Sequence, residues 1–244
     1  MIVANLRRTL DRDDAQLALR LVARGSDSEL DALERLLREE GIDAILDDPR
    51  LLDALLEAPR GRHASLALFT YVIVRHALRR LGESDRVIAD YLASVVVEFA
   101  GRGRAWRVSP ADDEVYTTLA RLLEDADGPD PRRTLLVRAH LGNYALWLSG
   151  LFPDHVEHRR WRRGGPDLDY YEELGRRGYR LAADHRLAEE QGLAMLFAAA
   201  ADRFVLMRHA LNEVSDRLLF PHVHSPERMM RQVRCGMRLR WEGA

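Results

Sequence analysis

Apolar residues recur at helical spacing along almost the whole chain, and this periodicity constrains the fold more than any other feature. Prolines, glycines and capping residues stand where one periodic stretch ends and the next begins. Only Val95–Val97 has the β-branched content of a strand, and it lies within a helical pattern. The sequence therefore predicts an all-α array or bundle of about nine to eleven helices with no significant sheet.

Local residue chemistry predicts several helix boundaries. Asp130-Pro131 combines a capping carboxylate with a proline at the first helical position, and we predict a helix from there to about Ser149. Ser109-Pro110 has the same arrangement and predicts a helix to about Glu124. The longest predicted helices are Asn5–Ala23, His63–Leu81, Asp167–Glu190 and Leu193–Phe220.

Charge is distributed unevenly along the chain. Residues 1–60 contain 14 acidic residues and 9 arginines, whereas residues 131–183 have a net charge of about +4. Pro59–Gly61 is a strong break in the helical pattern between these regions. We predict an acidic N-terminal helical subdomain over residues 1–60 and a main helical domain over residues 61–244. The boundary between them is a soft one.

The composition excludes several classes of function. Every basic residue is an arginine, so lysine-dependent chemistry such as Schiff-base catalysis or a P-loop is excluded. The single cysteine, Cys235, excludes a disulfide framework or a cysteine-ligated metal cluster within one chain. The apolar runs are too short to cross a bilayer and no signal peptide is recognised, which predicts a soluble cytoplasmic protein without a membrane partner.

Polar residues at helical spacing inside apolar stretches predict a polar cluster between helices. Glu98 follows Val95–Val97, a poor place for an isolated carboxylate, and Arg75 on the preceding helix is its expected partner. If the polar faces converge, the cluster could bind a transition metal or perform acid–base chemistry, and no other cofactor is predicted. The alternative is that these residues only form interhelical hydrogen bonds and ion pairs. The candidate residues are Arg75, His76, Glu98, His140, His185, His209 and Glu213.

Arginines alternate with tryptophans in three segments, at residues 102–107, 159–163 and 238–241. Guanidinium groups bind phosphates and carboxylates, and indole rings stack on bases or on arginine. The alternatives are ion pairs with the acidic segments and a favourable position of arginines at helix C-termini. The candidate anion-binding residues are Arg104, Arg107, Arg159, Arg160, Arg162 and Arg163.

Three functional classes follow from these patterns. The first is a non-enzymatic helical interaction or regulatory protein that binds a protein partner or self-associates. The second is a helical-bundle metal-binding protein or enzyme that uses the His/carboxylate cluster. The third is a nucleic-acid-binding protein that uses the Arg/Trp segments. The sequence favours the first class, because no motif of a specific chemistry is present, and it leaves open whether the protein is an enzyme.

Overall fold

The computed structural model describes residues 1–57, 63–101, 103–220, 222, 228–229 and 231–232. Over these residues the protein is 77% helical, with 13 α-helices and no strand, so the predicted all-α class is confirmed. The helix count slightly exceeds the predicted range. No helix in the described part of the chain is long and apolar enough to cross a membrane.

The chain forms two compact units, which we call the N-terminal unit (residues 2–101) and the C-terminal unit (residues 102–244). The N-terminal unit begins with a 3-10 helix, Leu6–Thr9. Its α-helices are α1 (Arg12–Ala23), α2 (Asp27–Glu40), α3 (Ile42–Leu46), α4 (Pro49–Leu56), α5 (Leu66–Arg80) and α6 (Arg86–Ala100).

Helices α5 and α6 pack against each other and supply most of the buried side chains of the N-terminal unit. Ser65 and Asp85 start these two helices by accepting hydrogen bonds from backbone N–H groups of the first turn. Asp11 starts α1 in the same way, and the backbone of Leu10 just before it is extended. The single helix predicted over Asn5–Ala23 is therefore wrong, because Asp11 begins a new helix there.

The C-terminal unit contains seven α-helices among its described residues. They are α7 (Leu119–Glu124), α8 (Pro131–Leu151), α9 (Pro153–Arg163), α10 (Leu168–Ala183), α11 (Arg186–Glu190), α12 (Ala194–Asp202) and α13 (Phe204–Val214). Two 3-10 helices, Arg104–Trp106 and Asp125–Asp127, and a π-helix, Ser215–Leu219, complete the unit.

Helices α8 and α10 form the centre of the C-terminal unit and approach each other at glycines. A Cβ atom on Gly178 would lie 2.8 Å from the backbone nitrogen of Gly142. A Cβ atom on Gly142 would lie 2.5 Å from Cδ1 of Tyr179. Because no side chain fits at these two positions, the glycines allow a close helix crossing.

Three predicted helices of this unit differ from the structure. The helix predicted from Ser109 is wrong, because the Asp112 carboxylate accepts a hydrogen bond from the Ser109 N–H in a turn, and α7 begins only after Thr118. The helix predicted over Asp167–Glu190 ends at Ala183 and restarts as α11. The helix predicted over Leu193–Phe220 is divided at Arg203 into α12 and α13 and then becomes the π-helix. These divisions raise the number of helices.

The predicted boundary at residues 60–61 falls within residues 58–62, which lie outside the described part of the chain. Arg75 of α5 and Arg86 of α6 both form ion pairs with Asp47, so bonds within the N-terminal unit cross that position. The division between the two compact units instead follows Gly101.

Candidate anion-binding surface

The candidate polar residues of the N-terminal unit have separate local partners. Arg75 donates from Nε to Oδ1 of Asp47 at 2.8 Å, not to Glu98, so the predicted Arg75–Glu98 pair is wrong. Burial alone would raise the pKa of Asp47, but hydrogen bonds from Arg75 and Arg86 lower it to about 2. His76 Nε2 lies 3.1 Å from the Leu46 carbonyl oxygen, and burial lowers the pKa of this histidine. Glu98 is exposed near the C-terminal end of α6.

The candidates of the C-terminal unit are also dispersed. His140 Nε2 lies 3.0 Å from the Ala105 carbonyl oxygen, and burial lowers the pKa of His140 to about 3, so the ring is neutral near pH 7. His185 caps α11, where its Nδ1 accepts the Leu187 N–H at 3.2 Å. Glu213 pairs with Arg217 within the same helical segment.

His209 lies in a buried polar network of the C-terminal unit. One of its ring nitrogens is 2.8 Å from Nη2 of Arg208. Among the described residues, no group of three or more histidine, cysteine or acidic side chains could hold a metal ion. The metal-binding alternative stays a prediction.

Arg208, at the centre of that network, was not singled out by the sequence. It donates from Nε to Glu172 Oε1 at 2.8 Å and from Nη1 to Asn212 Oδ1 at 3.1 Å. Asn212 in turn donates to the carbonyl oxygens of Ser149 and Gly150. The network therefore ties α13 to both α8 and α10. The four-residue spacing of Arg208 and Asn212 is the signal that could have indicated part of it.

The two anion-binding candidates nearest Trp106 are engaged by the backbone of their own loop. Arg104 donates from Nη1 to the carbonyl oxygens of Arg107 and Val108, and Arg107 donates from Nη1 to that of Asp112. These guanidinium groups hold the loop after the 3-10 helix. The preceding Arg102 and the whole segment at residues 238–241 lie outside the described residues.

Helix α9 differs from that loop in how its arginines are surrounded. Gly164, with φ of +62°, ends the helix, and its N–H bonds to the Arg160 carbonyl oxygen. The N–H of Gly165 bonds to the carbonyl oxygen of Arg159. The arginines of α9 thus lie at a capped helix end and not in an irregular loop.

Four arginines surround one exposed indole at the end of α9. Trp161 is 67% exposed, and Cζ of Arg160 lies 5.5 Å from the Trp161 ring centroid. Arg160 also lies 3.8 Å from an oxygen of Asp167. The side chains of the other three arginines form no hydrogen bond or ion pair with any residue that the structure describes. We call the five residues Arg159, Arg160, Trp161, Arg162 and Arg163 the α9 arginine surface.

Tyr144 on α8 connects this surface to the segment at Trp106. Trp106 and Arg159 both lie close enough to the Tyr144 hydroxyl group to lower its pKa. Burial raises the pKa of Tyr144 to about 12, and these two neighbours oppose that rise. Trp106 is 46% exposed. Two Arg/Trp segments that are far apart in the sequence thus lie around one tyrosine.

Two histidines precede the arginines on α9. His155 and His158 are exposed on the helix. The pKa of His155 is lowered, first by partial burial and then by the positive charges of Arg159, His158 and Arg163. Because a lowered pKa favours the neutral ring, the positive charge of α9 comes from the four arginines at its C-terminal end. No known protein family, curated protein or solved structure matches the chain.

Proposed function

We propose that this protein is a non-enzymatic helical interaction protein that binds an anionic partner through the α9 arginine surface. The observation that carries the proposal is the density of charge around Trp161, where four of five consecutive residues are arginines. Exposed arginines elsewhere, such as Arg177 and Arg180 on α10, also have no partner among the described residues. These arginines of α10 differ from those of α9 because no exposed tryptophan lies among them.

The position of the arginines at a helix C-terminus has its own stabilising effect. The helix macrodipole favours a cation there by about 0.3–1 kcal/mol per charge at low ionic strength. This effect accounts for positive charge at the end of α9 but not for an exposed tryptophan. Tryptophan and arginine are the residues that contribute most strongly at binding surfaces. A binding role explains both residue types together.

Retention on immobilised heparin, a polyanion, tests the proposal. The test variant is Arg159→Glu/Arg162→Glu/Arg163→Glu. The control variant, Arg132→Glu/Arg177→Glu/Arg180→Glu, makes the same change in net charge at three exposed arginines of the same unit. We expect the wild type and the control to elute at similar NaCl concentrations and the test variant to elute at a much lower one. Each arginine that neutralises an anionic group of heparin releases a counterion, so the loss of three such arginines weakens binding at a given salt concentration.

Two results would overturn the proposal. One is the absence of wild-type retention at low salt. The other is equal loss of retention in the two variants, since that would reflect net charge and not a defined surface. Circular dichroism of both variants confirms that they are folded before their elution is compared.

A further inference from the structure

We infer that the anionic partner is a single-stranded nucleic acid, whose bases stack on Trp161 while its phosphates pair with Arg159, Arg162 and Arg163. This inference rests on the proposed function and specifies the ligand of the same surface. Single strands are bound by a positively charged path combined with aromatic side chains on which successive bases stack. The α9 arginine surface supplies both elements within five residues.

The indole of Trp161 is placed for stacking. The Arg160 guanidinium lies over its ring, and the side chain is still two-thirds accessible. A base that stacks on the accessible part of the ring would meet an indole already held by a cation. Since every base has a π-face, this contact favours nucleic acid without requiring a particular sequence.

The exposed part of α9 does not resemble a surface for an acidic protein. Protein interfaces have an apolar core, whereas the two aliphatic side chains of α9, Pro153 and Val156, are both buried. The exposed side chains of α9 are His155, His158, Trp161, Arg162 and Arg163. These groups match phosphates and bases better than they match the mixed apolar and polar surface of a protein.

Trp106 offers a second aromatic platform near the same surface. Its side chain is 46% exposed and lies near the Tyr144 hydroxyl group, close to which Arg159 also lies. A single strand exposes its bases to such rings, whereas the bases of a duplex are already stacked on one another.

Fluorescence anisotropy with three labelled strands tests the inference. The probes are an oligothymidylate of about 20 nucleotides, an abasic strand with the same number of phosphates, and a duplex of the same length. The variants are Trp161→Leu, Trp161→Phe, and Arg159→Gln/Arg162→Gln/Arg163→Gln. The matched control is Arg132→Gln/Arg177→Gln/Arg180→Gln.

We expect oligothymidylate to bind more tightly than either other probe. Loss of one stacked base corresponds to an affinity loss of about 5- to 150-fold, so Trp161→Leu should show this loss for oligothymidylate and none for the abasic strand. Trp161→Phe should restore most of the affinity. The arginine variant should weaken binding to both single strands and reduce the salt dependence, the slope of log K against log salt, by about 2.

The possible failures are distinguishable from those of the proposed function. If the abasic strand binds as tightly as oligothymidylate and Trp161→Leu has no effect, the surface recognises charge alone; the inference falls and the proposed function stands. Tighter binding to poly-glutamate than to oligothymidylate would also overturn the inference, in favour of an acidic protein. If no polyanion binds, heparin included, both are wrong.

Discussion

Removal of the Glu172 carboxylate tests whether its ion pair with Arg208 stabilises the C-terminal unit. Arg208 is only 2% exposed, and its Nη2 and Nε atoms lie 2.6 and 2.8 Å from Oε1 of Glu172. The substitution Glu172→Ala leaves this guanidinium buried without its carboxylate. Breaking one side of a buried pair costs about 3–5 kcal/mol, because the remaining charge stays desolvated. We expect the free energy of unfolding of this unit to fall by about that amount.

Tryptophan fluorescence during urea denaturation measures this change. All four tryptophans, at positions 106, 147, 161 and 241, belong to the C-terminal unit, so their signal reports on that unit alone. The matched control is Glu190→Ala, which removes the exposed pair with Arg186 in α11. An exposed pair of this spacing contributes about 0.3–0.5 kcal/mol.

The reasoning is refuted if Glu172→Ala is no more destabilising than Glu190→Ala. A second variant, Glu172→Leu/Arg208→Met, examines the role of desolvation directly. Because it removes both charges and keeps most of the buried volume, it should be more stable than Glu172→Ala. A double variant that unfolds at lower urea than Glu172→Ala would show that the other contacts of Arg208, to Asn212 among them, contribute more than the ion pair.

Three further predictions concern stability. Gly178→Ala should destabilise the C-terminal unit by about 1–3 kcal/mol in the fluorescence assay, because its Cβ would press on the backbone of Gly142. The buried Tyr71 hydroxyl has no hydrogen-bond partner among the described residues, so Tyr71→Phe should leave the free energy of unfolding of the N-terminal unit unchanged or raise it by about 1 kcal/mol. Circular dichroism during urea denaturation measures this change, and a decrease of more than about 1 kcal/mol would contradict the prediction. The pKa of Asp47 is lowered from 3.8 to about 2, so its carboxylate contributes stability above pH 3.8 that is lost as the pH falls toward 2. Urea denaturation at a series of pH values should therefore show Asp47→Asn less stable than the wild type by about 2 kcal/mol near pH 6, with the difference shrinking below pH 4; a constant difference would be inconsistent with titration of Asp47.

The parts of the fold that depend on neighbouring residues were predictable. Asp130 caps α8 with Pro131 at its first position, and Asp167 caps α10, as their sequence context predicts. Ser109-Pro110 has the same local chemistry and starts no helix. There the backbone N–H of Tyr116 bonds to the Trp106 carbonyl oxygen, a longer-range contact that no local pattern encodes. Capping chemistry is thus sufficient only where no longer-range contact competes with it.

Partners of buried charges were less predictable, because tertiary packing selects them. Helical spacing correctly marked Arg75 as a polar residue in an apolar stretch. Its partner is Asp47, 28 positions earlier in the chain, and not Glu98 on the following helix. Arg208 and Glu172 show the same limitation across 36 positions. A periodic pattern identifies which face of a helix is buried, but not which residue of another helix meets it.

The same distinction applies to the arginines beside tryptophan. In sequence, Arg104 and Arg159 belong to one pattern, and both were predicted to bind anions. The guanidinium of Arg104 meets carbonyl oxygens of an irregular loop, whose acceptors are not used by secondary structure. At the end of α9 the N–H groups of Gly164 and Gly165 bond to the carbonyl oxygens of Arg160 and Arg159, and the guanidinium of Arg159 bonds to no residue that the structure describes. The guanidinium of Arg104 is thus used by the fold, whereas that of Arg159 is left for solvent or a partner, and this contrast is the reason for placing the binding surface on α9.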